Sequence, residues 1–441
     1  MARSRKLPLA ACGAVLCALA GCKAPPGAGP GRVSQAVAAR FGAAVPSPRP
    51  GDRVVPDALV RGEPLGEDQA VIVALWNNAQ FHESLTELDL TSADLVQAGL
   101  LPNPELVYLW PVAHKPFKYL IEFPVEAVWL RPLRLKVAGA ESERAAARLT
   151  QLALDLIRDT RQAYADLHLA HDRVKVAERA VAVRERIHEL AEARLKAGDA
   201  SALEVSAARI DALQARQDLT RVGYEVPVAE ERLRLLMGLG ASPVPLPPES
   251  VAFDPRLPAD LDALVGEAVA ARPDAEAAAH AARAAAERLR VARLGWVRLL
   301  GILDASSGRA TGHEFGPALR MTVPIFNRNQ GGIARAEAEL DQLTRRQQTV
   351  EDQIRLDVRT AYARFQQARA ELDLLRKKTR PEVEAALRRA EAAFEKGGAT
   401  YLIVLESNRQ LIDTYAREAQ LSADLRRAWA ELERAVGRRL K

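Results

Sequence analysis

The residues whose types and spacing could do chemistry are few. Seven histidines are scattered through 441 residues, and the pair His168 and His171 stands three positions apart in a stretch that reads as helix. Two imidazoles at that spacing share a helix face and could clip a metal ion weakly. Exposed histidines at this spacing are commoner than metal clips, and no metal site is expected. Cys12, Cys17 and Cys22 all fall in the first twenty-two residues, so the body carries no disulfide and no cysteine metal site. The glycine turns at Gly198 and at Gly397-Gly398 lack a following Lys-Ser/Thr and a preceding strand, which argues against a phosphate loop. No nucleophile constellation stands out. The expectation is a chain that is not an enzyme and uses no cofactor.

The first segments read as targeting. Arg3, Arg5 and Lys6 precede the apolar run Leu7 to Ala20, so residues 1–21 form a secretory signal. Leu19-Ala20-Gly21-Cys22 resembles the bacterial lipobox, which makes Cys22 the lipidated first residue of the mature chain. Lys23 follows rather than an aspartate, which by the same resemblance points to the outer membrane. Residues 22–64, rich in Pro, Gly and Ala, form a lipidated extended leader. No later apolar run reaches the roughly 20 residues of a transmembrane helix. The formal net charge of +5 is modest, and Lys and Arg interleave with Glu and Asp along helical faces. That pattern is a solvated ion-paired surface, not a nucleic-acid stripe.

Long helices dominate. From Asn327 to Gly398 apolar residues recur about every three and a half positions (Ile333, Ala336, Leu340, Leu343, Val350, Ile354, Val358), with Pro381 as a lone interior proline. Such a helix spans roughly 95–100 Å at 1.5 Å per residue. A kink or an overwound stretch is expected near Pro381. A matching helix is read over residues 133–196, then a turn, then a return helix from Ala202 to about Met237 that Pro227 should kink or split. Two helices are read over 67–81 and 82–99. Residues 238–260 form a proline-rich link, and helical pattern resumes from Asp260 to about Leu294 with a break at Arg272-Pro273.

Two stretches alternate as strands do. Phe117, Tyr119, Ile121, Phe123 and Val125 face one way, against Lys118, Leu120, Glu122 and Pro124. Phe315, Leu319, Met321, Val323 and Ile325 likewise oppose Gly316, Ala318, Arg320 and Thr322. Partner strands fit less cleanly at Leu106–Val112 and Trp296–Asp304. Scarce aromatics concentrate around the first hairpin: Tyr108, Trp110, Phe117, Tyr119, Phe123 and Trp129.

The chain is internally duplicated. Gly198 and Gly398, Arg209 and Arg409, and Pro124 and Pro324 recur at a spacing of 200 residues; Ala163-Tyr164 and Ala361-Tyr362 recur at 198. The second copy therefore gains two residues between Ala368 and Ala393. The first repeat covers 65–250, with a strand hairpin at about 104–126, and the second covers 251–441, with a hairpin at about 295–326.

Four strands cannot close a sheet alone, and open edges are unsafe in lipid. The strand lengths and apolar faces suit a membrane β-barrel, and three chains with four strands each would supply twelve. In that barrel Glu122, Arg320 and Thr322 take the lumen side, because charge facing lipid is costly. The competing fold is a small soluble sheet capping a coiled coil.

The chain is similar to the TolC-like outer-membrane efflux protein family. The matching stretches are Ala70-x3-Ala74-Leu75-x2-Asn78, Leu100-Leu101-Pro102-Asn103-Pro104-Glu105-Leu106, Arg272-Pro273-Asp274, the run LRMTVPIFNRNQGGIARAEAEL from Leu319 to Leu340, and Arg161-x-Ala163-Tyr164 with its partner Arg359-x-Ala361-Tyr362. The order of these motifs across two repeats is specific, and it covers nearly everything from Leu65 to Gly437. The resemblance implies a mainly α protein with a membrane β-part. It is a homotrimer whose long antiparallel α-helical coiled-coil barrel joins a 12-strand transmembrane β-barrel. It implies residence in the outer membrane with a long periplasmic extension, and partners in a periplasmic adaptor protein and an inner-membrane efflux pump. The tips that meet the adaptor are Ala193–Val205 and Ala393–Leu405; there Gly198, Ala200, Gly397 and Gly398 are small, and Leu203 and Leu402 offer apolar contact. The family's acidic gate lies six positions after the tip glycine, which is Glu204 in the first repeat and Val404 in the second. Asp199 and Glu406 are the second choices. The function implied is a passive exit duct of a tripartite efflux system. The alternatives are a duct for type I protein secretion and a non-pore periplasmic coiled-coil lipoprotein.

Overall fold

The computed structural model describes residues 29–46, 52–110, 117–240, 246–249, 253–257, 260–308, 312–396, 398 and 400–440. In chain order the helices are α1 (Pro30–Phe41), α2 (Asp57–Val60), α3 (Glu67–Asn77), α4 (Ala79–Leu85) and α5 (Glu87–Gly99). Strands β1 (Glu105–Leu109) and β2 (Phe117–Pro124) follow, then α6 (Glu126–Ala197), α7 (Ala202–Gly223), α8 (Glu225–Leu236), α9 (Leu261–Ala271) and α10 (Pro273–Leu294). Strands β3 (Leu299–Gly308) and β4 (Gly312–Met321) precede α11 (Gln330–Leu374), a π-helical turn (Leu375–Thr379), α12 (Arg380–Glu395) and α13 (Tyr401–Val436). The chain divides into two compact units, and each draws on both sequence repeats. One comprises Met1–Val33, Ser84–Thr150 and Pro273–Asp352; the other comprises Ser34–Glu83, Gln151–Arg272 and Gln353–Lys441.

The first unit holds an antiparallel sheet in the order β1-β2-β3-β4. Tyr108 lies opposite Tyr119, Tyr119 opposite Ala305, and Ala305 opposite Phe315. Against the strands expected at Leu106–Val112 and Trp296–Asp304, β1 starts one residue earlier and β3 spans Leu299–Gly308; residues 111–112 of the first expectation lie outside the described residues. β4 also stops at Met321, so Val323 and Ile325 are not strand residues. The Thr322 N–H donates to the Arg298 carbonyl at 3.3 Å, and Pro324 has no N–H with which to extend the ladder.

β2 passes almost directly into α6. The Val125 N–H donates to the Leu299 carbonyl at 2.8 Å, and the Glu126 carboxylate accepts from the Leu299 N–H at 3.0 Å. The helix therefore begins at Glu126 and not near Leu133. Pro132 sits in its second turn and forfeits one early backbone bond. In the same unit Arg288 bridges Glu141 (2.5 Å) and Glu339 (2.8 Å), two acids at the 198-residue repeat spacing.

In the second unit the repeat shows in how helices end. α8 is followed by Gly238 and α13 by Gly437, both left-handed (φ 65° and 84°), a conformation that glycine adopts at little steric cost. A Cβ on Gly238 would lie 2.2 Å from the Asn77 carbonyl oxygen, and one on Gly437 would lie 3.0 Å from the Arg272 side chain. The core here is heptad-like. Ile354, Val358, Ala361, Phe365, Ala368 and Leu372 are buried on successive turns of α11, and Phe365 packs on Trp429 at 5.1 Å between ring centres. Arg161 is buried on α6 and pairs with Glu433 of α13 and, at 3.5 and 3.2 Å, with Glu67 and Asp68 of α3. One turn on, the buried Tyr164 hydroxyl donates to the Leu65 carbonyl (2.7 Å) and accepts from the Glu249 N–H (3.2 Å). Leu65 and Pro248 form a parallel bridge at this point, so Tyr164 staples the proline-rich link to the start of the first repeat. Burial pushes its phenol up to about 12.

The return helix breaks at Tyr224, between α7 and α8, with Pro227 in the first turn of the new helix. At Pro381 the expectation of overwinding is corrected. The turn before it, Leu375–Thr379, is widened into a π-helix. Pro381 has no N–H to return to the Lys377 carbonyl, and looping out extra chain in a wide turn absorbs inserted length without breaking the helix. Arg376 and Arg380 both reach Glu418 of α13, at 2.8 and 3.1 Å, and tie this turn down.

Candidate functional site

The sheet sorts its side chains by face. Registration places Leu106, Tyr108, Phe117, Tyr119, Ile121, Leu303, Phe315, Leu319 and Met321 on one face. Glu105, Lys118, Glu122, Asp304, Glu314 and Arg320 share the other. Two cross-strand ion pairs stitch the polar face: Lys118–Asp304 at 2.8 Å and Arg320–Glu122 at 3.2 Å, the latter reaching over β3. The apolar face is exposed, with Tyr119, Ile121, Phe315 and Leu319 all open in the chain. Glu122 and Arg320 thus fall together on the charged face. Thr322 lies beyond the end of β4, so its place on the polar side of a strand is corrected. Sequence reading missed Asp304 because Leu299–Gly308 is rich in small residues that give alternation no contrast.

The tips belong to the second unit. After α6, Gly198 takes φ 84°, the Asp199 N–H returns to the Arg194 carbonyl (2.9 Å), and Ser201 caps α7 by accepting from the Glu204 N–H at 3.2 Å. Ser201-x-x-Glu204 has capping-box spacing, but only the Ser201 half of the box is made, and the Glu204 carboxylate takes no part in it. Asp199, Ala200 and Glu204 line a cleft of about 1100 Å³ together with Arg186, Arg194, Glu391, Phe394, Val404 and Asn408. The Arg194 guanidinium lies over the Phe394 ring at 4.9 Å and ties the two hairpins. Val404, at the repeat position of Glu204, is buried, so a carboxylate there would be desolvated. Glu406 is exposed and does not line this cleft. Leu203 and Leu402 are largely exposed, and the Gly398 N–H closes the second tip on the Ala393 carbonyl at 2.8 Å. Gly397 and Cys22 lie outside the described residues.

His168 and His171 line a second cleft, of about 680 Å³, with Lys175, Arg369, Arg376 and Arg426. Burial, reinforced by Arg426, pushes His168 down to about 4, and burial lowers His171 as well. A base whose folded value lies below its unfolded one costs the fold when it must charge, so stability is lost as pH falls from about 6.5 toward about 4. Discounted for partial exposure, the loss is about 1–2 kcal/mol. The thermal midpoint is expected to drop across that window, and His168→Gln is expected to flatten the drop; an unchanged slope in the variant would remove His168 as its source. Among the described residues no three His, Cys, Asp or Glu side chains are disposed to hold a metal ion.

Among the described residues no helix is long and apolar enough to cross a membrane. The apolar-faced sheet joined to long polar helices defines the class: a membrane protein of the β type with a helical extension. The comparisons agree. The family profile described as "Outer membrane efflux protein" matches residues 131–239 and 264–438. The cobalt-zinc-cadmium resistance protein CzcC of Cupriavidus metallidurans is 25% identical over 381 residues, 85% of this chain and 90% of that protein. The cation efflux system protein CusC of Escherichia coli is 26% identical over 273 residues, 59% of each. Among solved structures, CusC superposes with a TM-score of 0.73 at 20% identity over 84% of this chain and 91% of that one. The outer membrane protein VceC of Vibrio cholerae gives 0.72 at 18% over 84% and 96%. The chain belongs to the outer membrane efflux protein family and has the fold of its outer-membrane channels.

Proposed function

We propose that this chain is the outer-membrane exit duct of a tripartite efflux system and passively conducts substrate from periplasm to exterior. The observation that carries the reading is the sheet, with one apolar face, one charged face and two unpaired edges. Bare edges are untenable in lipid, so the sheet closes with other copies; three copies give a twelve-strand barrel whose lumen holds the face with Glu122 and Arg320. The repeats 65–250 and 251–441 supply the helical staves. Cys22 carries the lipid anchor in the outer-membrane leaflet. Gly198, Ala200, Leu203, Gly397, Gly398 and Leu402 form the surface for a periplasmic adaptor, which links the duct to an inner-membrane pump. Glu204, Asp199 and Glu406 are the acids of the periplasmic gate.

The relatives' names speak of cobalt, zinc and cadmium resistance, of cation efflux and of pyoverdine export. Such different cargoes fit a duct whose substrate is chosen by its inner-membrane partner. Purified protein in planar bilayers is expected to show cation-favouring conductance. Glu204→Ala is expected to raise conductance severalfold and to weaken the cation preference, because three carboxylates at a narrow axis select by charge. Unchanged conductance and selectivity would withdraw the gate assignment; no conductance from the parent protein would withdraw the duct.

A further inference from the structure

The two edges of the sheet are complementary in charge. β1 and β4 run antiparallel to one another, because each successive strand in the order β1-β2-β3-β4 reverses direction. On the polar face Glu105 of β1 stands directly opposite Glu122 of β2, so two carboxylates confront each other. Arg320 of β4 reaches Glu122 at 3.2 Å, and its side chain remains 60% exposed. A guanidinium has five donors in a planar fork and can serve two carboxylates at once. Among the described residues no ion pair holds Glu105, which is exposed at the other edge. One edge therefore offers an acid, and the other a cation with donors to spare, on the same face.

We propose that Arg320 of one copy clasps Glu105 of the next copy, with β4 pairing beside the neighbouring β1, while it keeps Glu122 of its own chain. This rests on the multi-copy barrel proposed above and adds what fixes the pairing of copies. Around the closed sheet the contacts run Glu122, Arg320, neighbouring Glu105, neighbouring Glu122, and so on, with two carboxylates for each guanidinium. The belt sets strand register between copies: a slip of two residues keeps the faces matched but carries the neighbouring Glu105 about 7 Å along the strand, away from Arg320. It also leaves one net negative charge per copy at the end of the sheet nearest the helices, a lining that favours cations.

The test uses the full-length protein extracted from outer membranes, with the temperature at which its oligomer dissociates read on semi-native gels. Glu105→Arg and Arg320→Glu are each expected to lower that temperature. The double exchange is expected to restore it, because the new guanidinium then lies opposite Glu122 and again stands between two acids. A role confined to one chain predicts the opposite for Glu105→Arg, since it relieves the Glu105–Glu122 confrontation; an equal or higher dissociation temperature for that variant overturns the clasp. As a second measurement, Glu105→Cys and Arg320→Cys are combined in one chain. Within a chain the two positions lie three strand spacings apart, about 14 Å, beyond disulfide reach. Oxidation is expected to give a ladder of linked dimers and trimers that neither single variant gives. An oligomer with neither ladder nor rescue overturns the clasp and leaves the duct standing. The absence of any oligomer in the parent protein overturns the duct itself.

Discussion

Gly238→Ala is expected to abolish accumulation of folded protein. The residue sits at φ 65°, where an L side chain costs about 1–2 kcal/mol before any contact is made. Its Cβ would then lie 2.2 Å from the carbonyl oxygen and 2.6 Å from the carbonyl carbon of Asn77. These are backbone atoms, and they are pinned. The Asn77 side chain donates to the Val54 carbonyl and accepts from the Val54 N–H, both at 2.7 Å. The combined cost is expected to exceed about 4 kcal/mol, in the range where single changes unfold domains. Helical circular dichroism during heating, together with yield from membranes, reads the result. Gly198→Ala is the control: its φ is 84° but its Cβ would meet nothing within 4 Å, so it should lose only the conformational cost. Equal midpoints for the two variants would refute the steric argument.

The second large effect lies at Arg161. Arg161→Ala is expected to destabilise the protein by about 3–5 kcal/mol, because it strands a buried carboxylate. Glu433 is 1% exposed and among the described residues would keep only the Leu440 N–H, at 2.9 Å, as partner. Buried ion pairs are nevertheless weak sources of net stability, because the cost of desolvating both charges can cancel their attraction. Burial is the largest influence on both Arg161, which it lowers, and Glu67, which it raises, and in each case it outweighs the attraction between them. Arg161→Met combined with Glu433→Leu should therefore recover most of the loss. A double variant as unstable as Arg161→Ala would show that the charges themselves hold the helices together. The sign at Glu67 follows from the same burial. Its carboxyl ionises more readily in the unfolded chain, so stability falls as pH rises through the interval just above the ordinary carboxylate value.

These residues also show what was legible in the chain and why. Arg161 and Tyr164 were visible as a recurring pair, but their roles depend on Glu433 and Glu249, which no local spacing links to them. Breaks that proline enforces were legible: Pro273 opens α10, and Pro227 stands in the first turn after the break at Tyr224. The start of α6 at Glu126 was not, because Pro132 stands in its second turn, where a proline forfeits a backbone bond and argues for a helix that begins after it. The alternation of β2 was plain in residues of high contrast, whereas β3 was located poorly because Gly301, Ala305, Ser306 and Gly308 blur it. At the tips Glu204 is marked by its position six residues after Gly198, which the family resemblance singles out. The Glu204 N–H on the Ser201 hydroxyl gives Ser201 a separate, purely conformational reason to stand there.

The π-helical turn at Leu375–Thr379 has a consequence for how a duplicated gene can drift. After duplication the two copies are free to change length separately, but a helix seam punishes every inserted residue by rotating all that follows about 100° around the axis. Here the buried positions resume after the insertion at Leu387 and Ala390, in phase with a neighbour reached again through Glu418. A wide turn swallows inserted chain where it enters and returns the downstream face to its old heading. Of the two copies, the one with the wide turn has thus been able to change in length without forcing compensating changes along the twenty residues beyond it.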